Sequence, residues 1–290
     1  MTALPERPDA DLVLRRPVLL AAFEGWNDAG DAATSAVEHL EEEWSGRPIC
    51  ALDPDDYYDF QVNRPTVSLV DGVARRVEWP TTRFSVCRPP GADNDVVLMR
   101  GVEPNMRWRG FTEEILDVIR ELGVETVVLL GALLSDTPHT RPTPVSGTSY
   151  DKASAASMDV EPSTYQGPTG IVGVFQNACV EAGIPAFSFW ASVPHYVSQA
   201  RVPKAAVALL HRVEEVLDVE VPLGALPELA EEWERTVSEM AEADDEVREY
   251  VRQLEEQAEE SEGAPEADGD TIAADFERYL RRRGAGGPGS

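Results

Sequence analysis

Short apolar runs alternate along this chain with longer segments whose apolar residues recur at helical spacing. This alternation limits the fold more than any other feature, because it is typical of a sheet of parallel strands with helices on its faces. The predicted strands are Val18–Phe23, Pro48–Leu52, Thr66–Val70, Arg75–Pro80, Asp95–Gly101, Thr126–Leu134 and Ala186–Ser192. The predicted helices are Ala32–Trp44, Phe111–Gly123, Ile171–Ala182 and Lys204–Asp218. We therefore predict an α/β fold with a mostly parallel central sheet.

Local signals predict where several of these elements begin or end. Asp28 or Asp31 can cap the first helix, since a carboxylate accepts hydrogen bonds from free backbone N–H groups. Thr112 is the predicted cap of the second helix. Asp71-Gly72 is typical of a hairpin turn and predicts that the third and fourth strands pair. The segment 135–169 is mostly polar and is predicted to be a long loop.

The acidic charge is concentrated towards the C-terminus. The formal net charge is −28, and residues 223–290 carry 20 of the 53 acidic but only 7 of the 25 basic residues. We predict an α/β domain over 1–222 and an acidic helical extension over 223–290, with a linker at 261–270, a short last helix at 271–283 and a flexible end. The acidic helices are either a solvated face or an arm that packs on a neighbouring subunit. So acidic a protein repels phosphate backbones and anionic lipid, which argues against nucleic acid or membrane as partner.

Cysteine, histidine and hydropathy patterns exclude further classes. Cys50, Cys87 and Cys179 form no CxxC spacing, so neither a disulfide framework nor a zinc site is expected. The four histidines show no metal-ligand spacing. No apolar run approaches the roughly 20 residues of a membrane span, and the N-terminus makes a poor signal peptide. A cytoplasmic protein without a metal or cofactor is predicted.

Polar and aromatic residues gather in the turns that follow four of the predicted strands. If those strands are parallel, the turns open at the carboxyl edge of the sheet, where open α/β sheets bind ligands. The candidate site residues are Trp26, Asn27, Asp28, Glu103, Arg107, Trp108, His139, Arg141, His195 and Tyr196. Together they predict a ligand pocket at this edge.

The same residues also have structural interpretations. The aromatic side chains can cover the end of the core. Glu103 and Arg107 stand four residues apart and can form a structural ion pair. The two histidines can act as general bases or as hydrogen-bonded loop residues. Arg141 can pair with a carboxylate such as that of Asp28, or it can receive an anionic ligand.

No catalytic signature accompanies these turns. The first strand is not followed by GxGxxG, and the sequence contains neither GxxxxGK[ST] nor GxSxG. A dinucleotide fingerprint, a P-loop and a hydrolase nucleophile elbow are therefore not indicated. An enzyme remains possible on these grounds, but no motif specifies a reaction.

Several segments, taken in order, resemble a known family. They are EGWNDAGDAA at 24–33, the run at 57–65 that includes YDFQVNRP, EPNMRW at 103–108, PHTRP at 138–142, and the series GPTGIVG, PHY and PKA at 167–173, 194–196 and 203–205. These segments resemble the proteasome assembly chaperone 2 family, in particular its actinobacterial branch. The similarity covers about Val18 to Leu226.

The resemblance implies a three-layer α/β/α sandwich similar to that of nucleoside phosphorylases, and subunits that assemble into homo-oligomers, with a trimer as the first expectation. Eukaryotic relatives hold proteasome α-subunits during ring assembly and catalyse no reaction, whereas other members were once suggested to be ATP-grasp-like ligases. Some relatives dock on proteasomes through a C-terminal hydrophobic–tyrosine–any-residue tail. This chain ends in GAGGPGS, and Tyr279 is internal. Docking through such a tail is therefore not expected here.

The leading prediction is a cytoplasmic, non-enzymatic protein-binding module of this family that acts as a homo-oligomer, with proteasome subunits as candidate partners. The rival is a nucleoside- or nucleotide-binding enzyme, similar to a phosphorylase, hydrolase or ligase, that uses the carboxyl-edge pocket. In the rival, Arg107 and Arg141 hold an anion and a histidine moves a proton. A third interpretation is that the polar turns bond to one another and fasten the edge of the sheet.

Overall fold

A computed structural model describes residues 4–70, 74–158, 160–197 and 201–261. The strands in these ranges are β1 (Val18–Glu24), β2 (Arg47–Ala51), β3 (Thr66–Val70), β4 (Ala74–Glu78), β5 (Thr82–Cys87), β6 (Val96–Val102), β7 (Thr126–Ser135), β8 (Val145–Ser149), β9 (Glu161–Pro162) and β10 (Ala186–Pro194). The α-helices are α1 (Ala32–Glu43), α2 (Trp108–Glu121), α3 (Lys152–Ser157), α4 (Ile171–Glu181), α5 (Pro203–Leu217), α6 (Leu226–Glu242) and α7 (Asp245–Ser261).

The central sheet has eight strands in the order β2-β5-β6-β1-β7-β10-β8-β9. Its four middle strands, β6, β1, β7 and β10, are parallel to one another, which confirms the predicted mostly parallel sheet. Antiparallel pairing occurs towards the edges, where β5 joins β6 and β8 joins β10. Because the middle strands run in one direction, their carboxyl ends lie along one edge of the sheet.

Side chains of the middle strands alternate between two apolar layers, as the period of two in a strand requires. In β1, Leu20 and Ala22 pack with α1 and α5, whereas Leu19, Ala21 and Phe23 pack with α2 and α4. Helices therefore cover both faces of the sheet, and the predicted three-layer α/β/α sandwich is confirmed. The near-continuous apolar sequence of β1 follows from this burial on two sides.

β3 and β4 form a separate two-stranded hairpin outside the central sheet. Val67 lies opposite Val77 in its antiparallel ladder, which confirms that the two predicted strands pair. The Phe60 and Trp79 rings meet at the base of the hairpin, with centroids 4.8 Å apart. The predicted Asp71-Gly72 turn lies outside the described residues.

Several boundaries differ from the prediction. β5 was not predicted, and the segment expected to be a long loop contains β8, α3 and β9. The β8 sequence, VSGTS, carries little apolar signal because its strand lies near the edge of the sheet. The second helix begins at Trp108 rather than behind a Thr112 cap, and the Thr112 hydroxyl donates to the backbone oxygen of Arg109 at 3.0 Å.

The acidic C-terminal segment forms α6 and α7, as predicted. Trp233 and Val237 of α6 join the apolar layer of α1 and α5, so this helix packs on its own subunit. Residues 262–290, with most of the predicted linker and the last helix, lie outside the described part of the chain. The domain boundary at residue 222 stays a prediction. Among the described helices, none combines the length and apolarity needed to cross a bilayer.

Candidate functional site

The turn after β1 caps α1 through a buried carboxylate. Gly25 and Gly30 adopt left-handed φ values of 114° and 64°, which let the chain reverse before the helix. The Asp28 carboxylate accepts hydrogen bonds from the backbone N–H groups of Ala33 at 2.6 Å and Thr34 at 3.1 Å, and from the Thr34 hydroxyl. Asp31, the other candidate, makes no capping bond through its side chain.

Burial dominates the electrostatics of this carboxylate. It raises the pKa of Asp28 to about 6, although the hydrogen bonds from Thr34 and Ala33 act in the opposite direction. Arg141 does not pair with Asp28; its guanidinium forms a salt bridge with Glu259 of α7. Asp28 is therefore placed as the capping residue of α1.

Glu103, in the turn after β6, fastens two other elements. One oxygen of its carboxylate accepts hydrogen bonds from the Asn27 side-chain amide at 2.9 Å and from the backbone N–H of Ile171 at 3.1 Å. The second bond satisfies a free N–H at the start of α4, whose own N-cap residue, Gly170, has no side chain to do so. The expected ion pair between Glu103 and Arg107 was wrong, because both groups have other partners.

Arg107 and Trp108 hold the start of α2. The Arg107 guanidinium pairs with Asp56 and lies over the Tyr57 ring, 5.8 Å from its centroid. The Trp108 indole N–H donates to the backbone oxygen of Pro104 at 2.7 Å. These contacts fasten the turn at 54–58 to α2 and involve none of the other predicted site residues.

His139 lies at the centre of a buried polar cluster after β7. Only 2% of the residue is exposed. Its Nδ1 lies 2.8 Å from the Tyr196 hydroxyl, and its Nε2 lies 2.9 Å from the Ser238 hydroxyl of α6. Its backbone N–H donates to the Tyr196 oxygen at 2.8 Å, and its carbonyl accepts from Lys204 Nζ at 2.6 Å. Burial lowers the pKa of His139, so the ring is neutral at neutral pH.

The C-terminal helices cover this cluster, and polar contacts join them to it. Glu234 of α6 pairs with Lys204, and Glu255 of α7 accepts a hydrogen bond from Thr140. His195 Nδ1 lies 3.2 Å from Asp136, which also accepts from the Tyr250 hydroxyl at 3.0 Å. Burial raises the pKa of Tyr196 to about 12. We call this region, His139, Arg141, His195 and Tyr196 with their partners on α6 and α7, the covered cluster.

A cavity of about 150 Å³ lies at a different place, between α4, β8 and β10. Of the predicted site residues, Trp26 and Asn27 line it. Its remaining lining residues are Leu133, Ser146, Thr148, Tyr150, Ser163, Tyr165, Pro168, Thr169, Gly170, Val172, Gly173, Gln176, Ser188 and Trp190. We call it the α4 cavity. Among the described residues that line it, none is charged.

The ten predicted residues therefore do not share one pocket. Four belong to the covered cluster, Trp26 and Asn27 reach the α4 cavity, and Arg107 and Trp108 fasten α2. Ligand binding by any of them stays a prediction. The sequence analysis missed Ser188 and Trp190, although the alternation in AFSFWAS places both on one face of β10 and offered a signal. Within the described residues, no group of three or more His, Cys, Asp or Glu side chains could hold a metal ion.

Fold and site together define a class: a three-layer α/β protein in which most polar groups at the carboxyl edge bond to groups of the same chain. The model of the PAC2 family matches residues 22–241. This match extends over most of the chain and includes every strand of the sheet from the second half of β1 onward. The chain belongs to the PAC2 family.

Solved structures of actinobacterial proteins agree with this assignment. A PAC2 family protein from Streptomyces avermitilis is 59% identical over 81% of this chain and 99% of its own, with a TM-score of 0.76. A proteasome-assembly chaperone homologue from Mycobacterium tuberculosis is 62% identical over the same shares, with a TM-score of 0.74. About a fifth of the present chain thus lies outside each of these two alignments.

A more distant likeness shows the fold only. An archaeal proteasome activator from Pyrococcus furiosus is 19% identical over 82% of this chain and 97% of its own, with a TM-score of 0.64. Among curated proteins, none matches the chain.

Proposed function

We propose that this protein is a cytoplasmic, non-enzymatic protein-binding module that acts as a homo-oligomer, with a trimer as the first expectation, on proteasome subunits. Membership of the PAC2 family and the similarity to the mycobacterial proteasome-assembly chaperone homologue support the chaperone-like role. The single observation that carries the protein-binding function is the exposed apolar surface of the β3–β4 hairpin.

The hairpin presents apolar side chains that its own subunit leaves exposed. The exposed fractions are 59% for Val67, 64% for Leu69 and 49% for Val77, and the antiparallel register places all three on one face. Trp79 extends this surface at the base of the hairpin. A two-stranded hairpin is marginally stable in water, and contiguous apolar patches on soluble proteins commonly mark interaction sites. A partner that covers this face gains apolar burial and fixes the hairpin.

The charge of the β3–β4 hairpin favours a second copy of this chain as the partner that covers it. Residues 60–83 contain four arginines and two acids, whereas the whole chain has a net charge of −28. Arg64, Arg75 and Arg76 are exposed in this segment. A basic apolar hairpin is thus complementary to the acidic surface that another copy presents elsewhere. Contact between two different surfaces is heterologous, and such contacts form a ring when the rotation from one copy to the next closes. This is the arrangement that a trimer requires.

The rival enzyme function finds less support in the geometry. The two arginines that would hold an anion are both engaged in salt bridges, Arg107 with Asp56 and Arg141 with Glu259. Both ring nitrogens of His139 lie within hydrogen-bond distance of hydroxyl groups. A general base needs an accessible nitrogen near its substrate. These contacts favour the third interpretation for the covered cluster, in which polar turns fasten the edge of the sheet.

The oligomer is tested by measuring its mass in solution by light scattering at several salt concentrations. We expect the unmodified chain to be a trimer, and the double variant Leu69→Ser with Val77→Ser to be a monomer with an unchanged circular dichroism spectrum. Leu229→Ser, which changes a similarly exposed apolar residue on α6, is the matched control and should keep the native mass. A monomeric wild-type chain, or a double variant that stays oligomeric, would refute the role of the hairpin.

The partner is tested by capture of purified proteasome α- and β-subunits from the same organism on the immobilised chain. We expect enrichment over an unrelated acidic bait, with a loss at high salt if charge contributes. Equal recovery on both baits would contradict the link to proteasome subunits while leaving the oligomer result unaffected.

A further inference from the structure

The floor of the α4 cavity is made of hydroxyl-bearing residues where an apolar floor is normal. Ser188 of β10 lies opposite Thr148 of β8, and Trp190 lies opposite Ser146. The hydroxyls of Thr148 and Ser188 are 3.1 Å apart. The other face of β10 carries Phe187, Phe189 and Ala191, all in the apolar core. A sheet face covered by a helix is usually apolar, so hydroxyls beneath α4 need an explanation other than packing.

Aromatic rings form much of the wall. Trp190 lies close against the backbone of Gly131, where a Cβ atom would come within 2.6 Å of the indole. The Tyr165 hydroxyl donates to the backbone oxygen of Pro168 at 2.8 Å, which fixes that ring. Tyr150 and Trp26 complete the aromatic lining. Rigid rings facing a polar floor form a site that recognises both the face and the edge of a flat molecule.

The lining also restricts the charge of an occupant. The described side chains that line the cavity include no acid, arginine, lysine or histidine. An ion that entered would lose its hydration without gaining an opposite charge, and this costs far more than the burial of a neutral polar group. Phosphate, carboxylate and ammonium groups are thus disfavoured inside the cavity.

The size indicates how much of a molecule can enter. A cavity of about 150 Å³ is as large as engineered cavities that take up one benzene molecule. We propose that the α4 cavity binds one uncharged planar aromatic ring that carries hydrogen-bonding groups on its edge. The aromatic rings contact its faces, and the hydroxyls of Ser146, Thr148 and Ser188 bond to its edge. A free heteroaromatic compound and an aromatic side chain of a bound peptide share this chemistry.

The charge requirement can be tested with two molecules of nearly the same shape. Ligand-observed NMR on the full chain should detect benzamide with a dissociation constant of roughly millimolar strength, as expected for so small a ligand. Benzoate should bind at least about tenfold more weakly because its charge is not compensated. Adenine and indole test larger neutral rings, and capped peptides with a central Trp or Ala distinguish a side chain from a free compound.

Variants then locate the binding. Ser146→Phe should fill the cavity and abolish the NMR signal of benzamide, whereas Ser35→Phe, the same change in the separate cavity beside α1, should leave it intact. Ser188→Ala removes one hydroxyl without adding volume and should weaken benzamide by about fivefold while leaving benzene unchanged. The proposal is overturned if none of the neutral rings binds, if benzoate binds as well as benzamide, or if both Ser146→Phe and Ser188→Ala bind benzamide normally.

Discussion

The covered cluster and the α4 cavity both involve strands β7 and β10, yet they differ in most physical respects. At the covered cluster, charged and polar side chains bond to one another beneath α6 and α7, and His139 is almost fully buried. At the α4 cavity, uncharged aromatic and hydroxyl side chains surround open space, and 61% of Trp26 is exposed. Even neighbouring residues differ in this way, since Asn27 lines the cavity whereas Asp28 is buried at the start of α1.

The difference shows that titratable side chains at a sheet edge need not indicate chemistry. The residues that looked most catalytic in the sequence are those whose polar atoms the chain itself satisfies. The residues around the open space include several serines, threonines and aromatics, which sequence analysis treats as ordinary. Variants at the covered cluster and its helices should therefore change the stability of the fold. Variants at the α4 cavity should change ligand binding with little effect on stability.

The largest expected loss of stability is in α6, one of the helices that cover the covered cluster. Trp233 anchors α6 in the apolar layer of α1 and α5. Trp233→Ala should lower the free energy of unfolding by about 3–5 kcal/mol, because it leaves a cavity as well as exposing apolar surface. Urea denaturation measures this loss. Trp233→Phe is the control: the indole nitrogen has no hydrogen-bond partner among the described residues, so the smaller ring should cost much less. Equal losses would show that α6 does not depend on this packing.

The buried carboxylate of Asp28 predicts an effect of pH on stability. The pKa of Asp28 is raised from 3.8 to about 6 in the folded chain, so the folded state binds this proton more tightly than the unfolded state. The resulting stability is complete below the unfolded pKa and is lost as the pH rises through the folded pKa. Asp28→Asn cannot titrate. The stability difference between wild type and Asp28→Asn should therefore change by about 3 kcal/mol in favour of the variant from acidic to neutral pH.

Urea titrations of both proteins at closely spaced pH values test this effect. Asp31→Asn is the control, since that side chain makes no capping bond. A difference between wild type and Asp28→Asn that stays constant with pH would contradict the raised pKa of Asp28.

A smaller effect separates the two histidines. His139→Phe leaves the buried hydroxyls of Tyr196 and Ser238 without their ring partner and should cost about 2 kcal/mol at neutral pH. His195→Phe changes a partly exposed residue whose Nδ1 contacts Asp136, and should cost less than about 1 kcal/mol. Comparing the unfolding midpoints of these two variants with that of the unmodified chain tests this prediction. A larger loss for His195 would place the structural centre of the covered cluster elsewhere.

The smallest effect on stability is expected at the α4 cavity. Trp26→Ala should change the free energy of unfolding by no more than about 0.5 kcal/mol, as is usual for exposed side chains. It should nevertheless weaken binding of neutral aromatic rings, because one wall of the α4 cavity is lost. Thermal unfolding and ligand-observed NMR on the same sample measure both quantities. A marked loss of stability would show that Trp26 is part of the core, and it would weaken the contrast between the α4 cavity and the covered cluster.

Much of the fold could be predicted because its signals are local. The apolar runs of β1, β7 and β10 are long and buried on two sides, so they are visible without any partner. β8 was missed because its sequence, VSGTS, lacks the apolar run by which the central strands are recognised. α2 begins before Thr112 because a left-handed Arg107, paired with Asp56, starts the helix instead. That pairing depends on a residue far away in the sequence.

The candidate site was predicted less well because its contacts also join residues that are far apart in the sequence. Sequence order placed the four turns at one edge correctly, since parallel strands must bring their carboxyl ends together. It could not show that α6 and α7 return to cover the turns that follow β7 and β10. The distances in sequence are large: His139 and Ser238, or Arg141 and Glu259, are about a hundred residues apart.

The α/β class, the shared direction of the central strands, the acidic helices at the C-terminus and the family could all be inferred from the order of residues alone. These properties depend on periodicity, composition and ordered segments, each of which is a local or additive quantity. Which polar side chains are satisfied and which surround open space became visible only in the folded chain. A side chain's availability depends on everything that packs against it, and those neighbours come from distant parts of the chain.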